Sequence, residues 1–155
     1  MVFKTNDLES VARIFNHPKV YRWISDDLCG PKYVPDPAGF YVMNEEKTGV
    51  AKVDQFTGTA CMVHIAALPE LWGKTPEFVS EGVKWLFSNT RYTKIISVAP
   101  TCNRLALRLG DACGFKREGV ITNSFLKNWQ LYDMIVFGLS KYDGGVRCQQ
   151  QQGRQ

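Results

Sequence analysis

The sequence predicts a mixed α/β fold, most simply one domain, and three observations predict it. Helix-period and strand-period runs alternate along most of the chain. Of its 155 residues, 45% are hydrophobic and 12% aromatic, enough to pack a real core and far from a disordered composition. Finally, Asn103–Val120, NRLALRLGDACGFKREGV, holds an amphipathic helix, a glycine stop, an aromatic and a short charged strand in one unit.

The elements follow in order. Met1–Lys4 is the one candidate for an opening strand. Asn6 can cap a first helix, with Glu9 completing a capping box and Leu8, Val11, Ala12 and Phe15 on its apolar face. Pro18 can open a second short helix carrying Val20, Trp23 and Ile24. A loop with Pro31, Pro35, Pro37 and Gly39 separates these helices from three strand-like runs, Phe40–Met43, Val50–Phe56 and Thr59–Ala66. Gly49 and Gly58 read as the hairpin turns between them. A helix from about Pro76 to Ser88 carries Val79, Val83, Leu86 and Phe87 on one face and reads as packed on the sheet. A short apolar strand spans about Lys94–Val98.

In the next helix Leu105, Ala106, Leu109, Ala112 and Cys113 share one side, and Arg104, Arg108 and Asp111 the other. Thr101 can cap its first turn. Gly114 stands where a helix end favours a left-handed residue, and Phe115 can fold back on the last turn. Two extended runs close the domain, Lys116–Asn123 and Leu131–Leu139, joined by a link from Ser124 to Gln130.

Asn103, Ala106, the Gly114-Phe115 pair and Arg117-Glu118-Gly119 together resemble the last helix-strand unit of the GNAT N-acetyltransferases. The run YDMIVFGLSK resembles their final strand, above all in the subgroup that acetylates ribosomal-protein N-termini, with Asp133 at a matching position. The element order is also the GNAT order. The resemblance implies a mostly antiparallel sheet with splayed central strands, flanked by helices, over residues 1–142. It implies acetyl transfer from acetyl-CoA to a primary amine, either a small molecule or a protein N-terminus.

In that family the pantetheine arm pairs with the backbone of the splayed fourth strand, here Ile65, Ala66 and Ala67. The pyrophosphate sits on amides at the start of the following helix, where unpaired N–H groups favour an anion. The family motif there is Gln or Arg, two residues, Gly, one residue, Gly or Ala. This chain offers Glu70, Leu71, Trp72, Gly73, Lys74 and Thr75, and only Gly73 fits. Trp72, Gly73, Lys74 and Thr75 are therefore candidate cofactor residues, with Lys74 giving charge and Thr75 a hydroxyl. The competing reading makes Thr75 an ordinary N-cap and Pro76 the first helical residue. Asn103 is a further cofactor candidate, or equally a residue at home in a helix N-terminal turn.

Acetyl transfer needs a neutral amine, hence a base. Glu70 and His64 are the candidates. His64 alternates with Met62 and Ala66, which also suits a structural role. Many GNAT enzymes place a Tyr, as the acid for the departing thiolate, four residues before the Gly-aromatic pair; here that position is Gly110. Cys61 and Cys102 are nucleophiles in principle but lack a partner pattern. Trp23, Asp26 and Asp27 are candidates for attracting a cationic acceptor, or a solvated helix end.

The net charge of +4 is scattered, with no basic run, which argues against nucleic acid as partner. Five dispersed cysteines show no metal-ligand spacing and suggest free thiols in a reducing compartment. No signal peptide or membrane-spanning run is present, so a cytoplasmic location is expected and no membrane partner. Residues 143–155 form a polar, glutamine-rich tail without apolar periodicity, expected to bind a protein partner. The chain as a whole also resembles phage-encoded GNAT-like proteins associated with head assembly. The alternative function is accordingly a catalytically inactive GNAT-fold assembly protein, located in a virion.

Overall fold

The computed structural model describes residues 1–142; the polar tail lies outside the described residues. In chain order the elements are β1 (Val2–Thr5), α1 (Leu8–Phe15), α2 (Pro18–Ile24), β2 (Phe40–Asn44), β3 (Gly49–Gln55) and β4 (Ala60–Ala67). A 3-10 helix (Pro69–Lys74) follows, then α3 (Thr75–Asn89), β5 (Lys94–Pro100), α4 (Arg104–Ala112), β6 (Lys116–Lys127) and β7 (Gln130–Ser140). The seven strands form one sheet in the order β1-β2-β3-β4-β5-β7-β6. Neighbours are antiparallel except β4 and β5, which run parallel. The mixed α/β, mostly antiparallel architecture is the predicted one, and Met1–Lys4 does supply the first strand.

Each face of the sheet has its own core because strand side chains alternate. On one face α3 and α4 cover Val42, Val53, Cys61, Val63, Ile95 and Phe137, with Phe78, Val79 and Leu86 from α3. On the other, α1 and α2 cover Tyr41, Met43, Val50 and Ala66 with Val11, Ile14, Phe15 and Val20. Val11 and Ile14 are fully buried, and each such side chain stabilises by about 1.5–3 kcal/mol.

Several boundaries differ from the sequence expectation for local reasons. Asp7, not Asn6, caps α1, its carboxylate accepting the Ser10 amide at 3.0 Å. Asn103, not Thr101, caps α4, accepting the Ala106 amide at 3.1 Å. Gly49 is not a turn residue but the first residue of β3; the turn before it holds Lys47 at φ 53°. A Cβ on Gly49 would lie 2.5 Å from Leu71 Cδ2 and 3.1 Å from the Phe78 ring, so the Leu71 side chain of the 3-10 helix packs closely over the glycine and would have to shift for any larger residue. The last hairpin is longer than predicted. β6 continues through an irregularity at Asn123 (φ 51°) and turns at Asn128-Trp129, both in the left-handed region.

The C-terminus of α4 matches its prediction. Gly114 has φ +80°, its amide bonds Asp111 O at 3.2 Å, and the Phe115 amide bonds Gly110 O at 3.1 Å. This pair of reversed bonds is a Schellman motif, and it buries Phe115 against the sheet.

Candidate active site

The sheet forks in its middle. β4 and β5 pair at Ala60–Lys94, Cys61–Ile95 and Met62–Ile96, and no further. Beyond Met62 each strand keeps only its outer neighbour, β3 for β4 and β7 for β5. Ser97, one residue past the last pair, donates its hydroxyl to Val63 O at 3.3 Å across the gap. No sequence pattern singled out Ser97.

That bond also fixes which backbone groups face the gap. N–H and C=O of alternate strand residues point the same way. The Val63 carbonyl faces β5, so those of Ile65 and Ala67 do too. Ala67 O is already engaged, accepting the Trp72 indole N–H at 2.9 Å. Ile65 therefore offers its amide and carbonyl to whatever enters the fork.

A cavity of about 940 Å³ occupies the fork and reaches both faces of the sheet. Val63, Ile65, Phe115 and Phe137 line it on the α3–α4 side, and Val20, Tyr33, His64 and Phe125 on the α2 side. Of the predicted cofactor residues, Ile65, Ala66, Ala67, Trp72, Thr75 and Asn103 line this cavity, while Gly73 and Lys74 lie outside its lining. Of the two predicted bases, His64 lines it and Glu70 does not.

The phosphate end is built differently from a free loop. The 3-10 helix runs straight into α3, so Thr75 is the first residue of α3 rather than its cap. Its hydroxyl turns back to Leu71 O at 3.1 Å and Trp72 O at 3.3 Å, and the residue is buried. Pro76 consequently stands second in the helix, where its missing N–H costs nothing. Gly73 is exposed, and a Cβ there would meet nothing within 4 Å. Local packing thus does not require glycine at 73, whereas close approach of a phosphate would.

His64 stands on the α2-facing side of β4, opposite Lys52 in the register. Its Nε2 lies 3.6 Å from Asp54 Oδ2, and its side chain keeps 46% exposure. His64 lines the cavity, and loss of hydration there draws its pKa below the ordinary value. Asp54 pulls it up and Lys52 down. The imidazole is thus neutral near pH 7 and able to accept a proton, with Asp54 placed to stabilise the cation formed.

The remaining candidates fall away on geometry. Cys61 is fully buried and its thiol is pushed up to about 11 by burial. Burial likewise raises Cys102. Neither is a ready thiolate. Asp26 accepts the amides of Leu28 and Cys29, and Asp27 those of Asn128 and Trp129. These two carboxylates tie the loop after α2 to itself and to the β6–β7 hairpin; they are not cavity residues. Trp23 does line the cavity. Among the described residues no cluster of His, Cys, Asp and Glu could hold a metal ion, and no helix is long and apolar enough to cross a membrane.

The fold is that of the GNAT acetyltransferases. The chain is similar in structure to a ribosomal-protein-S5-alanine acetyltransferase from Vibrio fischeri, with TM-score 0.70 and 18% identity, over 92% of this chain and 93% of that one. It is also similar to spermidine N-acetyltransferase from Vibrio cholerae, solved with CoA and spermine, with TM-score 0.71 and 17% identity over 90% and 95%. A putative phosphinothricin N-acetyltransferase gives TM-score 0.68 and 16% identity over 91% and 99%. No protein-family model and no curated protein sequence matches the chain.

Proposed function

We propose that the chain is an N-acetyltransferase that takes its acetyl group from acetyl-CoA and acts on a primary amine. The observation that carries this is the fork beyond Met62–Ile96, opening into a cavity that reaches both faces of the sheet. A cofactor arm can enter from the α3–α4 face and an amine from the α2 face, and the two meet at the gap. A solved neighbour with this fold holds CoA and spermine, which supports the assignment.

The residues present fit the cofactor. Ile65 turns its amide and carbonyl to the gap, past the last β4–β5 pair, and Gly73 has open space in front of it. Ile65, with Ala66 beside it, would hold the pantetheine; Gly73, Lys74 and the start of α3 would hold the pyrophosphate. Acetyl-CoA supplies the acetyl group as an activated thioester. On the amine side His64 accepts the proton that the acceptor ammonium must lose before its nitrogen can attack the thioester, directly or through one water. Asp54, at 3.6 Å, favours the resulting imidazolium. Glu70 is exposed and outside the cavity lining, which leaves His64 the better placed base. At Gly110 no side chain can donate a proton, and cleft water is left to do so. Positioning then carries much of the rate enhancement.

Calorimetric titration of the purified full chain with acetyl-CoA, followed by assay of amine-dependent thiol release, tests the proposal. Binding with thiol release supports it. Absence of binding at millimolar acetyl-CoA overturns it and favours the inactive assembly protein.

A further inference from the structure

The cavity has one sign of charge. Lys19, Lys32, Lys52 and Arg108 line it, and among the described residues no Asp or Glu does. Their positions separate them by role. Arg108 belongs to α4, on the cofactor face. Lys52 shares the α2-facing side of the sheet with His64 but is held by Asp54 at 3.4 Å. Lys19, on α2, and Lys32, in the loop after it, have no ion pair among the described residues. They are the two uncompensated cations on the acceptor side.

The carboxylates that could have offset them are engaged elsewhere. Asp26 and Asp27 hold backbone amides, as above, and Asp36 accepts the Ala38 amide at 2.9 Å. The aromatic faces that could bind a cation are also partly covered. The Arg22 guanidinium sits 4.8 Å from the Trp23 ring centre, and Phe15 stacks on Tyr33 at 4.3 Å. A polycation entering here would meet two unpaired lysines, while Asp54, the carboxylate on this side of the sheet, is already shared by Lys52 and His64, which is unfavourable. An apolar lining with a few charged groups at its mouth instead suits a small molecule with an apolar body and one anionic end.

Resting on the N-acetyltransferase reading, we propose that the acceptor is a primary amine carrying a carboxylate beside an apolar body, an amino-acid-like amine, with Lys19 and Lys32 binding the carboxylate. Polyamines and protein N-termini, whose α-carboxyl is an amide, are excluded by the same chemistry. The role of the two lysines is specificity.

Binding, not turnover, is the deciding measurement. The full chain is titrated calorimetrically with L-phenylalanine, with phenethylamine, which lacks only the carboxylate, and with spermidine. The Lys19→Glu/Lys32→Glu variant is titrated in parallel after its circular dichroism spectrum confirms folding, with Lys19→Gln/Lys32→Gln replacing it if the charge reversal does not fold. Phenylalanine should bind at least about tenfold more tightly than phenethylamine, and spermidine more weakly than either. The charge-reversed pair should abolish the preference for the carboxylate, and the neutral pair should reduce it. Equal binding of the matched pair, tighter binding of spermidine, no measurable binding of phenylalanine, or an unchanged preference in the folded variant would overturn the proposal. Bound phenylalanine that is never acetylated counts against the enzymatic reading alone, because the selectivity is read without catalysis.

Discussion

A Cβ added to Gly110 would lie 2.7 Å from Cε1 of Phe137. The glycine therefore marks more than a missing acid: the space where a helix side chain would start is filled by a buried ring from β7. Gly110→Tyr, which places there the tyrosine that the GNAT resemblance leads one to expect, should destabilise the protein. The overpacking cost of about 1–3 kcal/mol exceeds the roughly 1 kcal/mol gained by removing a helical glycine. Phe137→Ala alone should cost about 3–5 kcal/mol. The double variant should lose less than the sum, since each change relieves the other. Denaturant unfolding of the four proteins checks this, and strict additivity would mean the two sites do not share the space.

Gly73 poses the opposite case, since a side chain there meets nothing within 4 Å. Gly73→Val should leave the unfolding midpoint nearly unchanged while weakening acetyl-CoA binding by at least about tenfold, because the backbone must approach phosphate closely. Calorimetry on the variant decides it. Wild-type affinity would place the pyrophosphate away from the start of α3.

What the sequence revealed and what it hid divide along sequence separation. Gly114 was legible because the Schellman turn needs only residues within one helix end. Gly49 was misread because its partner, Leu71, lies in another element and no local pattern links them. The caps were misplaced where neighbouring polar residues compete: Asn6 with Asp7, and Thr101 with Asn103. The fork was anticipated from the element order, but its level, just past Met62–Ile96, lies in the pairing of residues 34 apart and has no local pattern. Asp26 and Asp27 read locally as an acidic patch, whereas Asp27 is taken up by the amides of a hairpin turn 101 and 102 residues away.

Asn103 has a capping role and a proposed cofactor role, and substitution separates them. Asn103→Ala should cost about 1 kcal/mol through the lost bond to the Ala106 amide. Asn103→Ser keeps a capping oxygen and should recover most of that stability. If the side chain also holds the cofactor, both variants will bind acetyl-CoA more weakly, since the serine lacks the amide's reach. Recovery of affinity together with stability in Asn103→Ser would reduce Asn103 to a cap.

His64 and its two charged neighbours give the sharpest test, because the neighbours act with opposite sign. Loss of hydration holds the imidazole below its ordinary value of 6.5, Asp54 raises it and Lys52 lowers it further. A base works in its neutral form, so kcat/KM should rise with pH through the His64 pKa and level off above it, the acid limb lying below 6.5. Asp54→Asn removes the upward pull and should move that limb to lower pH; Lys52→Met removes the downward pull and should move it to higher pH. His64→Gln should lower kcat by about 10²–10⁴-fold with a smaller effect on KM for acetyl-CoA, since a base acts mainly in the transition state. The same depressed pKa affects folding. Below pH 6.5 the unfolded chain binds a proton at His64 that the folded chain resists, so His64 contributes stability above that pH that is lost as pH falls. His64→Gln should therefore flatten the loss of stability on mild acidification. Limbs that stay fixed in both neighbour variants would remove His64 as the titrating base, whatever the rate of His64→Gln.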